Sequence, residues 1–233
     1  MPQPAPRPAT QASRRYSTPK RDQRAAATRA AILAAAEDMF LRDGYARTTM
    51  KAIAMQAGVS EKTMYLAFTT KATLLRQVIQ LRAQGDEAAI ALSKRPEWRA
   101  LVPGPVEEIF VRFAAQNATL MARTAAIMAL GETAAAIDPE LAEYRDQAHT
   151  ETRANLRALA AELKARDVLA PGISEQDAAD TIYALATDET VFLRLTRDCG
   201  WTPDRYADLI AHTLTATLTK PHPTRGHQQP TRH

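Results

Sequence analysis

An all-α protein is what this sequence predicts, and three observations predict it. Ala and Leu dominate, hydrophobic residues reach 45% while aromatics stay at 6%, and there are only eight glycines. That balance favours helix over sheet. Apolar residues recur at three- and four-residue steps, the period of a helix face. Breakers then separate the periodic runs: Gly44, Gly85, Pro96, Pro103, Pro105, Pro139, Pro171-Gly172 and Pro203. With 233 residues the chain has room for one large domain or two small ones.

The elements follow in order. Residues 1–21 read as a basic, Pro-rich tail with no apolar face to bury, and are expected to be disordered. A first helix is expected over 22–42, with Ile32, Leu33, Ala36, Met39 and Phe40 on one side and Gly44 as its stop. Two short helices follow at 49–57 and 61–68. A fourth, at 71–84, carries Leu74, Leu75, Val78, Ile79 and Leu81. Helical patterns resume at 105–121, 123–135, 140–166, 175–197 and 203–219, and residues 220–233 form a polar tail. The domain division this implies is 22–70 and 71–219.

Composition narrows the function classes. No apolar run approaches the roughly 20 residues of a membrane helix, and the N-terminal stretch lacks the apolar segment of a secretory signal. Cys199 is the single cysteine, so no internal disulfide can form. A cytoplasmic location is the simplest expectation, with Cys199 a passive thiol. No G-x-S-x-G, P-loop or H-E-x-x-H is present, so an enzyme is not expected. His149 and His212 lack ligand-spaced neighbours, and neither a metal nor a cofactor is expected. The net charge of +4 is unevenly spread: residues 1–84 carry +9, residues 85–219 carry −8 and the last 14 carry +3. Either the first third meets a polyanion, or a basic tail adjoins an ordinary acidic domain.

The segment Thr48 to Tyr65 carries the chemistry. Thr49 and Ser60 are placed to cap two short helices. Gly58 sits where the turn between them needs a left-handed backbone. Ala54 is small enough for a close crossing, and Ile53, Ala57, Val59 and Met64 supply the apolar plug. This is the spacing of a helix-turn-helix, whose second helix enters the DNA major groove. Lys51, Lys62 and Lys71 can each neutralise a phosphate, and Thr49, Ser60, Thr63 and Tyr65 offer hydroxyls to phosphate oxygens. Lys62 or Thr63 can touch base edges, and Glu61 can accept from a cytosine amino group. The alternative roles are local: Thr49 and Ser60 as caps only, Glu61 in solvent, Tyr65 packed along its helix. Arg14, Arg15, Lys20, Arg21 and Arg24 lie before or at the start of the first helix and read either as a DNA-tracking arm or as a solubilising extension.

Taken in order, Thr28 through Ala36, Phe40, Gly44-Tyr45, Thr48-Thr49, Ile53-Ala54, Ala57-Gly58-Val59-Ser60, Thr63, Tyr65, Phe68, Lys71 and Leu74-Leu75 closely resemble the N-terminal signature of the TetR (tetracycline-repressor-like) family. The resemblance runs without a gap from about residue 22 to 75. It implies a dimeric all-helical regulator, most often a repressor, with an N-terminal helix-turn-helix on palindromic operator DNA. It further implies a larger C-terminal domain that binds a small-molecule effector and dimerises. By the same resemblance Thr49 and Lys51 approach the DNA backbone and edge bases, Lys62, Thr63 and Tyr65 fall on the recognition helix, and Lys71 matches a phosphate-binding lysine. Two departures stand out: Ala67 replaces the polar or aromatic residue usual before Phe68, and Glu61 is an unusual acid on the recognition helix. A ligand-independent regulator or an activator of the same fold remains open.

In the body, Thr202-Pro203 opens a helix with Tyr206, Leu209, Ile210, Thr213, Leu214, Thr217 and Leu218 on one face. Ser174 opens another with Ala178, Ile182, Leu185, Phe192 and Leu195. These faces can serve the chain's own core or a four-helix bundle with a second copy; the resemblance favours the bundle. Palindromic half-sites about 34–36 Å apart also call for a two-fold partner. Trp98, Phe110, Phe113, Met121, Met128, Tyr144 and Tyr183 are candidates for an effector pocket, core packing being the other reading. Arg123 and Glu132 lie in or beside apolar runs and would need partners if buried.

Overall fold

A computed structural model of the protein describes residues 19–84 and 104–220. Most of both expected tails, and Trp98, lie outside the described residues. Within them the chain is helical, with no strand and one isolated antiparallel bridge between Leu169 and Thr219. The helices are α1 (Pro19–Asp43), α2 (Met50–Gln56), α3 (Glu61–Ala67), α4 (Lys71–Gln84), α5 (Val106–Ala135), α6 (Pro139–Ala165), α7 (Glu175–Ala186), α8 (Glu189–Leu193, continuing as a π turn over Arg194–Asp198) and α9 (Pro203–Leu218). No described helix is long and apolar enough to cross a membrane.

Two expectations about helix continuity are corrected. The runs 105–121 and 123–135 are one helix, α5, because Met121-Ala122-Arg123 contains no breaker. The run 175–197 is broken instead: Asp188 leaves helical geometry and its carboxylate accepts from the backbone N–H groups of Thr190 and Val191, starting α8 afresh. A short acidic side chain that can bond its own backbone competes with the helix at that point. Gly131 is the one glycine inside α5. It marks the crossing of α4, since a Cβ there would stand 3.0 Å from Ile79 Cδ1.

Burial divides into two clusters. One joins α5, the end of α6, and α7 to α9 around Ile109, Phe113, Leu163, Ile182, Phe192 and Tyr206. The other gathers α1 to α4 around Ile32, Phe40, Ile53, Met64, Phe68 and Leu75, and continues into Ile127, Ala134 and Ala135 of α5 and Leu141 of α6. The N-terminal helices therefore rest on the body through shared apolar contacts. On α9 the expected face is divided: Tyr206, Ile210, Leu214 and Leu218 are buried, while Leu209 and Thr217 stand exposed and Thr213 is half-buried.

Candidate nucleic-acid interface

The α2–α3 unit is built from local signals. Thr49 caps α2 by accepting from the Ala52 N–H at 3.2 Å. The helix then closes with a pair of reversed bonds, Gly58 N–H to the Met55 carbonyl at 3.2 Å and Val59 N–H to the Ala54 carbonyl at 3.0 Å. That closure needs a left-handed residue, and Gly58 has φ +68°. Ser60 starts α3 by accepting from the Thr63 N–H at 3.1 Å. Beneath the crossing lie Ile53, Ala54 and Met64, all buried. Because these residues fix the inward side of α3, Lys62, Tyr65 and Leu66 are left facing outward, exposed.

The other candidates fall into place around this unit. Thr49 and Ser60 are exposed, so each hydroxyl caps its helix while remaining at the surface. Thr63 is half-buried, and its hydroxyl shares a 2.8 Å hydrogen bond with that of Ser60. Lys51 extends from α2 to Glu61 of α3, with 3.6 Å between charges and both side chains largely exposed. Such a pair adds little stability, but it places a cation beside the one acid of the helix start.

Lys71, expected to meet a phosphate, also has partners within the chain. Its ammonium points inward, donating to the Tyr45 carbonyl at 2.8 Å and the Thr48 carbonyl at 3.0 Å, and it stands 4.2 Å from the centre of the Tyr45 ring. Burial lowers its pKa, partly opposed by the charge of Asp138. Lys71 thus ties the α1–α2 loop to the start of α4. The buried Thr48 hydroxyl braces the same loop at the Gly44 and Met39 carbonyls.

A polar seam that sequence reading does not reveal lies behind this loop. The Tyr45 hydroxyl donates to Asp138 Oδ2 at 2.6 Å, across 93 residues. Its pKa is raised, by burial first and then by that carboxylate. Thr70 and Thr73 both donate to Glu140 at 3.0 Å. Arg76 lies 3.9 Å from the same carboxylate and 5.0 Å from the Tyr144 ring centre. Arg29 stacks on Phe68 at 4.5 Å and donates to Gln77 at 2.8 Å. Asp138-Pro139-Glu140 reads in sequence only as a helix start, and nothing local announces partners so distant along the chain.

Among the candidate effector residues, Phe110, Phe113 and Met121 are buried in the body core, whereas Met128, Tyr144 and Tyr183 are half-buried. Tyr183 meets His149 edge-on at 6.3 Å. A cavity of about 450 Å³ lies elsewhere, between α1, α4 and α5, with Leu33, Val78 and Leu81 on its floor and Glu37, Arg82 and Arg123 at its edge. Glu132 finds a partner in His149, 3.2 Å away, and Arg123 in the Ala83 carbonyl at 3.4 Å.

Comparison with known proteins agrees with this geometry. Residues 32–78 match the family model for bacterial regulatory proteins of the tetR family. No curated protein matches the sequence. Among solved structures the chain is similar to NalD, the secondary repressor of the MexAB-OprM multidrug efflux pump in Pseudomonas aeruginosa. The two are 22% identical, 85% of this chain covers 98% of that one, and the TM-score is 0.64. It is also similar to SmeT in its triclosan complex (19% identity, 83% and 92% coverage, TM-score 0.64). A gamma-butyrolactone receptor, an ArpA-like protein, is a third (21% identity, 84% and 90% coverage, TM-score 0.59). At these identities the structures establish a shared fold, and the family resemblance rests on the N-terminal segment. Through that segment the chain resembles the bacterial regulatory proteins of the tetR family, and the matched residues include the helix-turn-helix formed by α2 and α3.

Proposed function

We propose that the chain is a dimeric transcriptional repressor that binds palindromic operator DNA through α2 and α3 and releases it when a small molecule enters the helical body. The observation that carries this reading is α3 itself. Met64 anchors its inner side, Lys62 and Tyr65 form its outer side, and the helix lies inside the segment matched by the family model. In this reading Lys51 and Lys62 meet phosphates or base edges, Thr49, Ser60, Thr63 and Tyr65 offer hydroxyls to the DNA backbone, and Lys71 holds the loop behind them. The second copy docks on the sides of the last two helices, about 175–197 and 203–219, that α5 leaves free, where Leu209 and Thr217 are exposed. NalD is a repressor of an efflux pump and SmeT is seen with triclosan; this supports a small effector among Phe110, Phe113, Met121, Met128, Tyr144, Tyr183 and Trp98. Release is a population shift, and an effector moves it only by binding better to the form with the two α3 helices out of register.

Footprinting upstream of its own and neighbouring genes tests the reading, together with sedimentation for the dimer. Protection of a palindrome by a dimer is the expected result. Its affinity should fall steeply with salt. Lys62→Ala should reduce the logarithmic salt slope by about 2, one phosphate contact in each half-site, without altering thermal stability. Lys71→Met should instead lower thermal stability, because two loop carbonyls lose their donor. Protein that ignores every duplex in dilute buffer, or stays a single chain at high concentration, overturns the proposal.

A further inference from the structure

Leu66 is 80% exposed on α3, as open as any large apolar side chain on the described surface. Its direction follows from the helix. With about 100° per residue, Lys62 and Leu66 lie about 40° apart, and the line between them points directly away from Met64. Met64 is 0% exposed and belongs to the plug under the crossing. Lys62 and Leu66 are therefore the tip of the helix's outer edge, with Tyr65 and Glu61 to one side. A leucine here contributes nothing to the core, at a position where solvent alone would favour a polar side chain.

If α3 enters the major groove, the edge opposite its own core goes deepest. The apolar group that a base pair presents there is the C5 methyl of thymine. We infer that Leu66 reads a thymine methyl and is a specificity-determining residue of the α3 contact, an inference that rests on the proposed DNA-binding role of α3. Met55 on α2 is equally exposed, but in a helix-turn-helix the first helix crosses the backbone while the second reads bases. The neighbouring charge fits the same occupant: Lys62 shares the edge, and residues 1–84 carry an excess of +9. Lys62 and Leu66 are separated by about 6 Å along the helix axis, or roughly two base-pair steps of about 3.4 Å. The half-site should accordingly hold a thymine about two base pairs from the base nearest Lys62.

The test uses the full chain and a library of random duplexes. Sequences are enriched with the wild-type protein and with Leu66→Ala, an exposed change whose folding is checked by its melting curve. Each thymine of the enriched wild-type site is then replaced in turn by deoxyuridine, which removes the methyl group alone. One thymine per half-site should matter, its replacement weakening wild-type binding about three- to fivefold and leaving Leu66→Ala unaffected. Leu66→Gln should shift the preference at that position toward adenine. A common site enriched by wild type and Leu66→Ala with the same response to every deoxyuridine overturns the role of Leu66 while leaving α3 as a DNA contact. Failure of the wild type to enrich any duplex overturns both.

Discussion

In the body, α5 and α6 run for 30 and 27 residues; in the reading head, α2 and α3 run for seven each. A seven-residue helix does not form alone in water, because the cost of starting it is not recovered over so few bonds. The long helices bury continuous apolar faces against α7 to α9. The short ones depend on two hydroxyl caps, one glycine turn and a plug of three buried side chains. The body is thus stabilised by many interchangeable contacts, and the head by few groups that each have one task. Such a head can present polar side chains outward with little apolar surface, provided the body holds it.

The largest effect expected from this contrast is in the body. Phe113 is 2% exposed, within the main cluster, and Phe113→Ala should cost about 3–5 kcal/mol, measured by denaturant titration. The molecules that remain folded should bind DNA with unchanged affinity, since no residue of α2 or α3 is touched. A loss below about 1 kcal/mol would mean that the body repacks freely and that its burial is not what holds the long helices.

A smaller effect tests the hold of the body on the head. Asp138 caps α6 by accepting from the Glu140 N–H at 3.1 Å, and it also accepts from Tyr45 at 2.6 Å. Asp138→Ala removes both and should cost about 2–3 kcal/mol. Asp188→Ala, which removes only the cap of α8, should cost about 1 kcal/mol. Once Asp138 is absent, Tyr45→Phe should add little, because the bond it would remove is already gone. Equal losses for the two aspartates, with Tyr45→Phe fully additive, would show that the seam merely touches and does not hold.

These contrasts also explain what the sequence could convey. The helix-turn-helix was legible because its determinants are local: Thr49, Gly58 and Ser60 act within a few residues of themselves. The helical fold was legible from period and punctuation. The break at Asp188 was missed because the apolar stripe continues across it to Phe192 and Leu195, masking a cap within the run. The inward turn of Lys71 was missed because spacing gives a position on a helix but not the direction of a long side chain. Tyr45–Asp138 and Thr73–Glu140 join segments 93 and 67 residues apart, and each partner reads locally as an ordinary loop or helix-start residue. On α9 the single stripe combined residues that the structure exposes differently: Tyr206 is buried, while Leu209, at the edge of the same face, is exposed.

The smallest effect expected is in acid, where carboxylates of the two regions respond in opposite senses. Asp43, at the end of α1, is held below its ordinary value by hydrogen bonds from Arg42. Its contribution is present near neutrality and is lost as the pH falls through its folded-state value. Glu189, at the start of α8, is pushed upward, by burial first and then by Glu132 and Asp188, with its own backbone and His149 opposing. The native state then keeps a proton that the unfolded chain has released, so stability declines as the pH rises through the interval above the ordinary carboxylate value. Below that interval both states are protonated and the burial of charge costs nothing. Glu189→Gln should therefore raise the melting temperature near neutral pH by about one to three degrees and leave it unchanged at about pH 4. The same gain at both pH values would come from packing alone, and a loss at neutral pH would mean that the charge of Glu189 at the α8 N-terminus outweighs its burial.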